Sequence, residues 1–147
     1  MQTNSRDMAY AAPALDGPVT SKIQQRAGRA LSGLAVVLLA LDSVGKLLQA
    51  APVIEGTTQL GYPRDIVFTL GVILLTCVVA YAIPRTSVLG AVLLTGYLGG
   101  AVATQVRVEA PLYTHILFPT YVGIVVWAGL LLRDARLRAL LPIRSAS

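Results

Sequence analysis

Asp42 and Lys46 stand four residues apart in an otherwise apolar stretch, and Gln49 follows three residues later. On a helix this spacing aligns all three on one face, where carboxylate and ammonium neutralise each other and offset part of the cost of lying near lipid. Such a pair can donate hydrogen bonds or protons to a bound headgroup, provided that its face points into a bundle. Asp42 is expected to be the deeper member, roughly 10 Å from the outer end of its helix. Lys46 is expected to snorkel outward. Other polar groups fall at the ends of neighbouring apolar runs: Gln105, Arg107 and Glu109 close one, Tyr113, His115 and Tyr121 flank the start of another, and Arg64 and Asp65 open a third. Asp42, Lys46, Gln49, Gln105, Arg107, His115 and Tyr121 are therefore the candidate lining of one polar pocket. The plainer alternative is a structural ion pair beneath an interfacial belt, where Tyr and Arg are common for that reason alone.

What this set cannot do is equally informative. Cys77 and His115 are each the sole residue of their type. An intrachain disulfide, a CxxC redox pair, a Cys/His zinc site, an iron–sulfur cluster and bis-histidine haem ligation all require more ligands. No metal site and no autonomous catalytic or cofactor-ligand set is visible, so any redox group must come from a partner. His115 by itself fits a proton carrier or a satisfied helix-start residue equally well. Cys77, in the middle of LLTCVVA, reads as a small core or lipid-facing residue.

The elements that must position these groups follow from composition. Of 147 residues, 55%, about 81, are hydrophobic and only 13% are charged; the mean hydropathy is +0.69. A membrane-spanning helix uses roughly 20 mostly apolar residues, so four spans exhaust the supply. A second soluble domain has nothing left to build a core from. The expected fold is all-α, a membrane-embedded four-helix bundle running up-down-up-down. Its spans are expected at about 29–49, 65–83, 87–106 and 115–132, within a domain of residues 26–142. Residues 1–25 read as a flexible cytoplasmic tail retained on the chain, and 143–147 as a short C-terminal tail. Ile83-Pro84 ends the second span and Thr86 or Ser87 can cap the third.

The net charge of +5 does not indicate nucleic acid, because the cations flank apolar segments instead of forming a patch. Arg6, Lys22, Arg26, Arg29, Arg85, Arg133, Arg136, Arg138 and Arg144 fall on one side; Lys46, Arg64 and Arg107 fall on the other. The positive-inside rule then puts both termini in the cytoplasm. The stretch from Arg133 to Pro142 reads as an extension of the fourth span into the headgroup layer that anchors this topology. In the third span, Gly96, Gly100 and Thr104 form a small-residue ridge beside Gly99 and Ala103. Such ridges let helices approach closely in lipid, here within the monomer or, alternatively, in a homodimer. Pro119, one turn into the fourth span, removes the bond to the His115 carbonyl and is expected to kink it.

These residues together resemble the DoxX-like family of small four-helix membrane proteins. The resemblance is carried by the D-x-x-x-K of Asp42 and Lys46, the GYP of Gly61 to Pro63 and the run IPRTSVLGAVLLTGYLGGAVA from Ile83 to Ala103. Phe118-Pro119 and the WAGLLLRD of Trp127 to Asp134 complete it, over roughly residues 26–142. It implies a multi-pass membrane protein. Some relatives are implicated as membrane subunits of quinone-linked oxidoreductases or in redox-stress complexes. Two functions follow as expectations: a binding, accessory or scaffold component of the inner membrane, or a redox subunit that binds quinone while a partner enzyme carries the cofactor. A solute or proton pathway is weaker, since four short helices hardly line a pore.

Overall fold

The computed structural model describes residues 21–140, and among them the secondary structure is helical throughout, with no strand. The expected tails at 1–20 and 143–147 lie outside the described residues.

Helix α1 (Lys22–Leu47) starts seven residues before the expected span. The reason is a capping box: the Ser21 hydroxyl accepts from the Gln24 amide at 3.2 Å, and the Gln24 side chain accepts from the Ser21 amide at 3.3 Å. Residues 22–25 are therefore helix and not tail. The helix ends where Gln49 enters the left-handed region at φ 50°. A short helix, α2 (Ala51–Gln59), with proline in its first turn, occupies what the sequence reads as a plain connection. After a turn at Gly61, whose φ of +83° favours glycine, α3 spans Ile66–Ala82.

Ile83 is extended before Pro84 and stops α3 as expected. Thr86 stands at the N-cap position of α4 (Ser87–Arg107), but its hydroxyl makes no cap bond there. Instead it donates to the Ala80 carbonyl at 2.7 Å, satisfying an orphan acceptor in the last turn of α3. The fourth long segment is also built differently from the expectation. A π-helical turn, Leu112–Ile116, precedes a bend at Leu117, and α5 (Phe118–Arg133) begins afresh with Pro119 in its first turn. Proline thus starts a helix here, where its missing N–H costs nothing, and does not kink one. The expected extension past Arg133 is likewise interrupted. Asp134 turns extended, its carboxylate accepts from the amides of Arg136 and Leu137, and a separate helix α6 (Ala135–Leu140) follows.

Helices α1, α3, α4 and α5 pack antiparallel to their neighbours. The start of α1 lies beside the ends of α3 and α5, and its end lies beside Gly71 near the start of α3. Their shared core is Leu39, Leu74, Tyr81, Ala91, Leu94, Val126 and Leu130. Outside it, large apolar side chains face outward along every long helix, with Leu41 at 67% and Ile124 at 60% exposure. An apolar belt on this scale is what a bilayer covers. Lys22–Leu47, Ser87–Arg107 and Leu112–Arg133 are long and apolar enough to cross one, and Ile66–Ala82 is a shorter apolar helix. Three buried hydroxyls are paired within their own segments: Ser43 donates to the Ala40 carbonyl at 2.8 Å, Thr57 to Val53 at 2.7 Å and Ser87 to Pro84 at 3.2 Å.

At one end of this arrangement, the end that carries Arg85 and Arg133, helices meet almost backbone to backbone. A methyl group on Gly28 would lie 2.7 Å from the Arg133 nitrogen, and one on Gly129 would lie 2.6 Å from the Ser32 hydroxyl. One on Gly90 would collide with the Tyr81 backbone. Tyr81 ties three helices together: its hydroxyl donates to the Val126 carbonyl at 2.8 Å and lies 2.9 Å from the Ser32 hydroxyl. With its proton used on Val126, Tyr81 accepts from Ser32. The Arg133 guanidinium lies over the Tyr81 ring, 5.2 Å from its centroid.

Candidate functional site

The opposite end is open. A cavity of about 510 Å³ lies between α1, α3, α4 and α5, with α2 and the turn after it along one side. Helical periodicity brings Asp42 and Lys46 to its wall from α1, together with Leu38 and Leu39 one turn further in. From α4 come Gly96, Gly100 and Thr104, at intervals of four residues, with Tyr97, Ala101 and Gln105 each one position beyond.

Asp42 and Lys46 form the expected ion pair. Asp42 stands one turn further from the end of α1 than Lys46, but Lys46 is the more enclosed side chain, 13% exposed against 45% for Asp42. Lys46 does not snorkel outward, because Gly71 of α3 packs against its Cβ and leaves the stem enclosed between helices.

The remaining polar contacts centre on Tyr62, which the sequence reading did not place in the pocket. Thr104 donates its proton to the Gly100 carbonyl at 2.9 Å, so the Tyr62 hydroxyl, 2.9 Å away, is the donor to Thr104. Tyr62 thereby closes the outer side of the cavity, with Thr57 and Leu60 beside it. Arg107 donates to the Leu60 carbonyl at 2.8 Å and so fastens the same segment from α4. It stands behind the cavity wall and does not line it. The signal for Tyr62 and Tyr97 lay in their neighbours, GYP and GYLGG: an aromatic ring among small residues has room on one side.

Three expected members stand apart. Gln49 is exposed in the turn past the end of α1, so it does not continue the face of Asp42 and Lys46. His115 is exposed on the π-helical turn, its Nδ1 2.7 Å from the Thr114 hydroxyl. Tyr121 is exposed on α5. None of the three lines the cavity. The small-residue ridge also has a different place from the expected helix packing. Methyl groups added at Gly96, Gly99 or Gly100 would meet nothing within 4 Å. Gly96 and Gly100 are cavity wall, and the close approaches of the bundle belong to Gly28, Gly71, Gly90 and Gly129.

Among the described residues, no group of three or more His, Cys, Asp or Glu side chains comes together. A second recess, about 540 Å³ and almost entirely apolar, runs between α4 and α5. The Trp127 indole there donates to the Thr95 hydroxyl at 2.9 Å.

The ion pair, the turn carrying Tyr62 and the glycine-rich α4 all fall within residues 30–129, the stretch matched by the model of the DoxX-like family. The chain belongs to the DoxX-like family. No curated protein and no solved structure matches it. As a DoxX-like protein it is a multi-pass helical membrane protein, in contact with the lipid bilayer through the outward-facing apolar residues of its long helices.

Proposed function

We propose that this DoxX-like chain crosses the cytoplasmic (inner) membrane four times, with both termini in the cytoplasm, and serves as a binding or accessory component that holds a small amphipathic molecule at the outer end of its bundle. The cation distribution supports the orientation. Lys22, Arg26 and Arg29, Arg85, and Arg133, Arg136 and Arg138 gather at the close-packed end, whereas Lys46, Arg64 and Arg107 lie toward the other.

The single observation that carries the functional reading is the cavity itself. It joins apolar walls to a charged pair, an amide and hydroxyls at one end, the mixture typical of small-molecule sites. The protein purified in mild detergent is expected to retain a small molecule that organic extraction and mass spectrometry identify, and the Lys46→Met variant is expected to retain much less. Equal retention by the two, or none by either, would count against the reading.

A quinone-binding subunit of an oxidoreductase is the second reading. It is favoured by one feature: the Lys46 ammonium keeps donors to spare beside an apolar chamber, as a quinone carbonyl oxygen requires. The redox cofactor would then sit on a partner enzyme. Quinone in the extract, together with impaired quinol oxidation in membranes lacking the protein, would support this reading over a purely accessory role.

A further inference from the structure

We infer that the cavity selects an uncharged molecule, a hydrogen-bonding head on an apolar body, and that Gly96 and Gly100 exist to make room for that body. This rests on the ligand-site reading above and narrows it to a chemical class.

The charge argument comes from the pairing. Asp42 and Lys46 neutralise each other, and the other polar groups on the wall, Gln105, Thr57, Thr104 and the two tyrosines, are uncharged. Arg107, the nearest further cation, is directed at the Leu60 carbonyl. Because the pair is already neutral, an anionic head at Lys46 would bring a net negative charge, and a cationic head at Asp42 a net positive one, that nothing else on the wall compensates. In a low-dielectric site such an uncompensated charge costs more than its contact returns. A neutral head avoids it, because Lys46 can donate further hydrogen bonds without releasing its partner.

The space argument comes from α4. Gln105 and Gly96 are nine residues apart, about 13 Å at helical rise, so Thr104 and Gln105 mark one end of the cavity and Gly96, with Tyr97 beside it, its deeper part. Glycine inside a helix costs about 1 kcal/mol relative to alanine. At Gly28, Gly90 and Gly129 that cost is offset by close helix contact, but at Gly96 and Gly100 there is no such contact within this chain. What the missing side chains leave is cavity volume.

The test uses the full chain in nanodiscs of zwitterionic lipid, with 1-naphthol, 1-naphthoate and 1-naphthylmethylammonium as neutral, anionic and cationic probes on one apolar body. Thermal unfolding is measured with each, for the wild type and Gly100→Leu. The expected result is that only 1-naphthol raises the wild-type Tm, that Gly100→Leu loses this rise, and that without probe its Tm equals or exceeds that of the wild type. A charged probe whose effect matches that of 1-naphthol and disappears in Gly100→Leu would overturn the neutral class while leaving the ligand site standing. A 1-naphthol effect unchanged by Gly100→Leu, or a Gly100→Leu chain that fails to fold, would overturn the role assigned to the ridge. No effect from any probe would remove the ligand-site reading along with the inference.

Discussion

Along α4, glycine serves opposite purposes at the two ends of this bundle. Where Gly28 and Gly129 bring α1 and α5 together and Gly90 lies on Tyr81, an added methyl group would strike backbone. Six and ten residues beyond Gly90 on α4, Gly96 and Gly100 face a cavity. The close-packed end is cross-linked by Tyr81, whose hydroxyl serves α1 and α5 at once. The open end is held by the Gly71 contact between α3 and α1 and by single hydrogen bonds between α4 and the segment after α2. In a bilayer, where apolar surface gains nothing by leaving lipid, such packing and hydrogen bonds provide much of the association between helices. The difference sets a closely packed end against a more loosely tied one, a division that suits the proposed ligand site.

Glycine substitutions should break this comparison most sharply. Gly129→Leu is expected to abolish the folded state, since the clash with Ser32 involves backbone and exceeds the 1–3 kcal/mol usual for overpacking, whereas Gly96→Leu is expected to leave it intact. Size-exclusion profile and helical circular dichroism after purification would separate them, and equal loss in both would erase the distinction between the ends.

The ion pair comes next. Asp42→Asn alone leaves the enclosed Lys46 uncompensated and should cost about 2 kcal/mol, while Asp42→Asn with Lys46→Met should recover most of it. A thermal-stability double-mutant cycle checks this, and simple additivity would mean that the two charges do not interact. Tyr81→Phe removes a donor from the Val126 carbonyl and an acceptor from Ser32, for a loss of about 1 kcal/mol. A normal Tm in that variant would leave the close-packed end held by packing alone. The smallest effect is expected at the open end. Tyr62→Phe should lower stability by less than about 1 kcal/mol, yet hydrogen exchange should quicken across Ala51–Gln59 and not in α5.

Much of the architecture was legible in the sequence because a helix in lipid needs an uninterrupted apolar run, and the breaks between runs carry their own chemistry. Ile83-Pro84 ended α3 where steric conflict before proline requires it. The i, i+4 spacing of Asp42 and Lys46 was enough to foresee their pairing, since one helix fixes that geometry. The bond of Tyr62 to Thr104 was not foreseeable in this way. Gln49 and His115 were expected beside the pair by their depth in the chain, but a left-handed turn and a π-helical turn carry them elsewhere. Pro119 was legible as a backbone disturbance; whether it kinks a helix or begins one depends on the chain before it.

By itself, then, the sequence determined the composition-driven facts: a helical membrane protein of this family, its apolar runs, and one local ion pair. Each is set by transfer from water to lipid or by neighbours within a single helix. Only the tertiary structure decided which glycines are contacts and which are walls, which of Lys46 and Asp42 is enclosed, and that Tyr62 reaches Thr104 across 42 positions of chain. Those outcomes depend on the rotation of each helix about its own axis. That rotation is fixed by the close contacts at Gly28, Gly71, Gly90 and Gly129, which no hydropathy pattern encodes, because lipid accepts an apolar face in any direction.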